Sequence, residues 1–126
     1  MLKSILLVGV GSFLGGVLRF LVSLFMRNNC SVSFPWATLT VNLIGAFVIG
    51  VIYALFARYS NTVHAVCLLL TTGLCGGFTT FSAFAYEGLQ MLQSGNVVAF
   101  VVYALSSVIA GVVFVALGYW LVNQVF

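Results

Sequence analysis

Most side chains here that can do chemistry are neutral hydrogen-bond donors, and they fall at helical spacing. Asn42 follows Thr38 by one turn, so the two share a face. Phe81 and Phe84 stand three apart, and Tyr103, Ser107 and Gly111 make a four-residue stripe. Singly, each has a plain explanation. A phenylalanine in a membrane helix usually meets lipid or packs, and Asn42 can simply bond a neighbouring helix. Together they share one property. The amide and the hydroxyls are donors, and a phenylalanine ring is positive at its edge. A file of such groups solvates an anion weakly at many points, as conduction requires.

Charges are few. Lys3, Arg19, Arg27 and Arg58 stand against Glu87 alone, for a net charge of +3. Four scattered cations make no nucleic-acid surface, and the high pI reflects scarce acids. Arg19 and Glu87 both fall inside apolar sequence, toward the same end, and can pair there. Separate interfacial placement and a role in transport are the alternatives. Cys30, Cys67 and Cys75 form no C-x-x-C pair or Cys/His cluster and read as packing residues. His64 reads as a polar residue at a helix start. One acid, one histidine and no nucleophile–base constellation argue against an enzyme.

The elements carrying these residues belong in a bilayer. Of 126 residues, 63% are hydrophobic and 4% charged, against about 25% charged in soluble domains. At roughly 20 apolar residues per crossing, the chain is a single transmembrane domain, 1–126, of an all-α membrane protein with four transmembrane helices. The spans fall at about 4–26, 37–57, 64–94 and 97–122. Lys3 before an apolar run imitates a secretion signal. Arg19 interrupts it and no clean cleavage site follows, so residues 1–26 read as a retained span. Pro35 and Trp36 suit a helix start at the interface, and Tyr119 and Trp120 anchor the last span.

The third span is the odd one. As one helix its residues would reach about 46 Å, against roughly 30 Å of hydrocarbon. Gly76-Gly77-Phe78-Thr79-Thr80 is poor helix material. The sequence predicts two half-helices, about 64–75 and 81–94, with a break at 76–80 near mid-membrane. A simple kink satisfied by Thr79 and Thr80 is the plainer alternative. A true break survives only where it is buried in protein or lines a polar cavity.

Small residues mark packing seams at Gly11-x-x-x-Gly15, Ser12-x-x-x-Gly16, Ala46-x-x-x-Gly50-x-x-x-Ala54 and Ser107-x-x-x-Gly111. The cations divide about two against two between the membrane sides, which gives the positive-inside rule almost nothing to act on. The expectation is insertion both ways and an antiparallel dual-topology homodimer, with a single marginally biased topology as the alternative. If the two breaks met on the two-fold axis, converging carbonyls would suit a small cation such as Na⁺ as structural glue.

These residues carry a family resemblance. The motifs are Gly11-x-x-x-Gly15-Gly16-x-x-Arg19-Phe20, Asn42-x-x-Gly45-x-Phe47-x-x-Gly50, and Gly73-x-x-Gly76-Gly77-Phe78-Thr79-Thr80-Phe81-Ser82-x-Phe84. The last is long and specific. Through them the chain resembles the Fluc (CrcB-type) fluoride channels over nearly its whole length. The resemblance implies an antiparallel homodimer with two pores, giving passive fluoride efflux across the cytoplasmic (inner) membrane of a microorganism. It implies that Phe81 and Phe84 line the pore and that Asn42 bonds the ion. Tyr103 and Ser107 would continue the polar track, with Thr38 toward one entrance. It further implies a central Na⁺ held by the backbone carbonyls of Gly76 and Thr79 from both chains. Gly111 departs from the stripe, standing where another hydroxyl could be.

The rival reading is a small proton-coupled multidrug exporter of the four-helix, dual-topology type. Those depend on an embedded acid in the first span, where this chain has Arg19. A structural or assembly subunit would need no polar track.

Overall fold

The computed structural model describes residues 1–31, 33–59 and 64–126. Within them the chain is all-helical: α1 (Leu2–Asn29), α2 (Trp36–Arg58), α3 (His64–Leu68), a π-helical segment (Leu69–Cys75), α4 (Gly76–Phe78), α5 (Phe81–Gln93) and α6 (Val97–Val125). Four stretches are long and apolar enough to cross a membrane: Leu2–Asn29, Trp36–Arg58, His64–Gln93 and Val97–Val125. Residues 60–63 of the connection expected at 58–63 lie outside the described residues.

Local chemistry sets the ends. α1 runs past residue 26 because Asn29 Nδ2 donates to the Phe25 carbonyl (2.8 Å) and the Cys30 N–H to that of Met26 (2.8 Å). α2 begins at an inverse γ-turn, with Pro35 at φ −78°, ψ 61° and the Trp36 N–H on the Phe34 carbonyl (2.8 Å). The proline ring fixes that φ in advance. Between α5 and α6, Gly95 takes φ +80°, and the Asn96 N–H bonds back to Met91 (2.9 Å). Asn96 Oδ1 then caps α6 by accepting the Ala99 N–H (3.2 Å).

In the third stretch Gly76–Phe78 keep helical geometry, and the extended residues are Thr79 (φ −81°, ψ 158°) and Thr80 (φ −149°, ψ 116°). Thr80 Oγ1 caps α5 by accepting the Ala83 N–H (3.2 Å). The preceding π segment is a feature composition gives no hint of. There the Gly76 N–H reaches back to the Thr71 and Gly73 carbonyls.

Two extended residues free peptide groups, and most of them find partners. The Thr79 N–H and Oγ1 both donate to the Cys75 carbonyl (2.9 Å each). Asn42 clasps Thr80 from α2: its Oδ1 accepts the Thr80 N–H (2.8 Å) and its Nδ2 donates to the Thr80 carbonyl (3.1 Å). An amide is the one neutral side chain carrying both a donor and an acceptor at this spacing.

Glycines bring backbones together. A Cβ on Gly15 would overlap the Leu74 carbonyl oxygen, and one on Gly73 would lie 2.9 Å from Gly11 Cα. These residues seat α1 against the third stretch. α2 and α6 cross in the same way: a Cβ on Gly50 would overlap the Val115 carbonyl oxygen, and one on Gly118 that of Phe47. The small-residue spacing located Gly11, Gly15 and Gly50 but missed Gly118. Beyond its own helix, a Cβ on Gly111 would meet nothing within 4 Å among the described residues, so α6 is open at that position in the single chain. The core holds Val41 and Tyr103, both 0% exposed.

Two predictions follow from this frame. Gly15→Val and Gly118→Val should each lower stability by about 1–3 kcal/mol, the usual penalty of overpacking. Gly9→Ala, with nothing within 4 Å, should not, and thermal melting in detergent tells them apart. Asn42→Ala and the near-isosteric Asn42→Leu should both melt lower, by about 1–3 kcal/mol for each Thr80 group left unpaired. Recovery by leucine would mean that volume, and not the clasp, holds the segment.

Candidate functional site

A carboxylate sits at the centre of the site. Glu87 on α5 is half-buried, and each of its oxygens accepts a hydroxyl: Thr38 Oγ1 on Oε1 (2.6 Å) and the Tyr103 OH on Oε2 (2.7 Å). The three residues come from α2, α5 and α6, so the node pins three helices together. Hydrogen bonds to an ionised acceptor are short and about twice as strong as neutral ones. Thr38 is 7% exposed and Tyr103 fully buried.

Arg19 does not join this node within the chain. Its Nη1 makes a long contact of 3.5 Å to the Thr79 carbonyl. The expected Arg19–Glu87 pair is therefore not what either side chain makes here. Arg19 is directed at the Thr79 carbonyl, while Glu87 takes its two donors from the helices packed beside it. Sequence reasoning placed Thr38 and Tyr103 on a polar track and Glu87 in an ion pair. Only the fold shows that the three meet.

Aromatic rings extend from the node in both directions. The Phe84 ring lies 4.9 Å from Tyr103, and Phe81 lies 5.7 Å from Phe84, both tilted. On the other side Phe34 meets Tyr103 edge-on at 5.5 Å and 82°, and Trp36 follows at 4.6 Å. Five rings thus form one column from the Thr80 junction to the start of α2. Phe34 was not foreseen. It sits in a connection, where helical periodicity says nothing.

Two cavities flank the column. The larger, of about 1090 Å³, opens at the α1–α2 connection and is lined by Arg19, Arg27, Thr38, Glu87, Ser82 and Gln90 among others. The smaller, of about 470 Å³, is a groove between α2, the third stretch and α6. It brings together Asn42, Phe81, Phe84, Ser107, Gly76 and Thr79. Of the eight residues expected in the pore or at a carbonyl cation site, six line the groove and the other two, Thr38 and Tyr103, belong to the Glu87 node, which Phe84 joins to the groove through its contact with Tyr103.

Ser107 has an unusual status. Its Oγ is buried with no hydrogen-bond partner among the described residues. Its neighbour Ser106 does what a helical serine ordinarily does and donates to the Val102 carbonyl (2.5 Å). Asn42 keeps one Nδ2 hydrogen beyond the one given to Thr80. The groove therefore holds two neutral donors beside two phenylalanine rings.

Comparison with known proteins identifies relatives of this chain. Residues 6–119 match the family described as CrcB-like protein, Camphor Resistance (CrcB). A protein of Leptospira interrogans serovar copenhageni is 43% identical over 122 residues, covering 97% of this chain and 96% of that one. One of Phocaeicola vulgatus is 43% identical over 120 residues (95% and 98%), and one of Aquifex aeolicus 42% over 113 residues (89% and 90%). All three bear the name fluoride-specific ion channel FluC. With residues 6–119 matched by the family and 97% of its length covered by a relative 43% identical, the chain belongs to the CrcB-like family.

Proposed function

We infer that this chain is a fluoride channel, a multi-pass protein of the cell's inner membrane that lets fluoride leave passively. It is not an enzyme. The relatives' shared name and the family match support the reading. The structural observation that carries it is the free Ser107 hydroxyl in a groove with Phe81, Phe84 and Asn42. A buried hydroxyl left unpaired calls for an occupant. Neutral donors and ring edges suit a small anion that must be held weakly and released.

Along the path, Arg19 and Arg27 line the wide cavity and raise the local anion concentration there. Thr38 and Tyr103 come next, with Glu87 holding their hydroxyls in place. The rings of Phe84 and Phe81 lead on toward Asn42 and Ser107. Glu87, the lone acid, lies in the third span and is occupied by hydroxyls, which leaves an exporter reading without its acid in the first span.

The working unit is an antiparallel, dual-topology homodimer with two pores. In the single chain Phe81 is 79% exposed, and the groove beside it also carries Asn42, Thr71, Thr79, Thr80 and Ser107. Lipid tails cannot bond the Ser107 hydroxyl or the second Asn42 amide hydrogen, which at membrane depth must be buried in protein or line a water-filled path. A second copy over the groove meets that requirement. The third span is then broken at mid-membrane, with Thr79 and Thr80 at the break.

A central Na⁺ fits the same junction. Among the described residues the Thr79 carbonyl accepts only the long Arg19 contact, and the Thr80 N–H that a continued helix would give to the Gly76 carbonyl goes to Asn42. Carbonyl oxygens are hard donors of the kind a small hard cation takes. These two, doubled by the two-fold axis, would hold the ion as a structural tie between copies.

In proteoliposomes the wild-type protein should release fluoride and retain chloride. Phe81→Ile and Phe84→Ile should each slow fluoride release roughly tenfold or more, since both remove a ring edge. Unchanged release would place the path elsewhere. A tag at the C-terminus should be reachable from both sides of the inner membrane, and a tag found on one side alone would refute dual topology.

A further inference from the structure

We propose that Phe34 is a positioning residue for ion passage: from the α1–α2 connection its ring holds the Tyr103 phenol in register with Glu87. The proposal rests on the fluoride-channel reading above and adds to it a residue outside the membrane helices.

Four observations converge on it. Phe34 meets the Tyr103 ring edge-on, at 5.5 Å and 82°, the arrangement in which a positive ring edge faces a negative ring face. Tyr103 is fully buried, and Phe84 covers it from another side at 4.9 Å. The phenol is therefore held between two rings, one on a membrane helix and one on the connection. Phe34 cannot drift, because the inverse γ-turn at Pro35 ties its carbonyl to the Trp36 N–H (2.8 Å) and Trp36 packs on its ring at 4.6 Å. Finally, Phe34 borders the wide cavity alongside Thr38 and Glu87, which the same cavity touches directly.

That last point separates positioning from gating. An ion in the cavity already reaches Thr38 and Glu87, so Phe34 need not move to admit it. What Phe34 controls is the third member of the node. Turning the phenol about its Cα–Cβ bond would carry the hydroxyl away from Oε2 and leave Glu87 with one donor. The carboxylate's free oxygen would then face the path and repel an anion. The Phe34 ring, meeting the phenol edge-on from the connection, blocks that turn.

The test compares Phe34→Leu, which keeps apolar volume without an aromatic edge, with Phe34→Tyr, which keeps the ring. Fluoride release is measured from proteoliposomes, and the fluorine signal of 3-fluorotyrosine placed at position 103 reports the phenol itself. F34L should slow release roughly tenfold, the scale of one aromatic pair, and shift the fluorine signal; F34Y should restore both. In a Tyr103→Phe background F34L should slow release no further. Equal slowing with and without the Tyr103 hydroxyl would overturn the proposal, as would a fluorine signal that ignores F34L. A wild-type protein that passes no fluoride would bring down the channel reading instead, while the fluorine signal still decided whether Phe34 holds the phenol.

Discussion

A peptide group freed from its helix at membrane depth must find a partner within the protein, because hydrocarbon offers none. The two extended residues, Thr79 and Thr80, leave peptide groups without a partner in their own helix, and much of the surrounding structure supplies one. Asn42 supplies a donor and an acceptor to Thr80. Thr79 folds its own hydroxyl back onto Cys75, and Thr80 caps the helix that follows. The glycines of α1 then let a helix backbone lie directly on the π segment and α4, where side chains would hold it away. The interruption stands because so many neighbours are committed to it.

What the interruption delivers is direction. Ending one helix and starting another lets α5 leave the junction on its own course, with Phe81 and Phe84 in its first turn and Glu87 further along. α2 and α6 are already joined through Gly50 and Gly118. Their fixed crossing places Thr38 and Tyr103 where α5 presents its carboxylate. One acid then bonds two helices through strong hydrogen bonds.

The sequence made the architecture readable for a simple reason. Long apolar runs, Pro35-Trp36 and Ser94-Gly95-Asn96 are local signals, and a bilayer leaves few folds to choose among. The weak helix-forming stretch before Phe81 was legible for the same reason, although the extended part narrowed to Thr79 and Thr80 while Gly76–Phe78 stayed helical. Partnerships between distant residues were not legible. Arg19 and Glu87 look like a pair because charge is all that composition reports, and nothing linear says that two hydroxyls arrive first. The role of Asn42 shows the same limit: its type announced hydrogen bonding, but its partner is a backbone 38 positions away. Gly118 and Phe34 escaped notice because one falls outside the counted small-residue spacing and the other lies in a connection.

The helices differ in length, and two of them are not free to adjust separately. α2 has 23 residues and α6 has 29, about 34 and 43 Å at 1.5 Å per residue. Near their ends Arg58 Nη2 donates to Asn123 Oδ1 (3.1 Å), beyond the glycine crossing. Stapled at both levels, α2 and α6 tilt as one body. A thicker or thinner bilayer would therefore load the whole scaffold at once, which couples the ion path's geometry to the lipid the protein lives in.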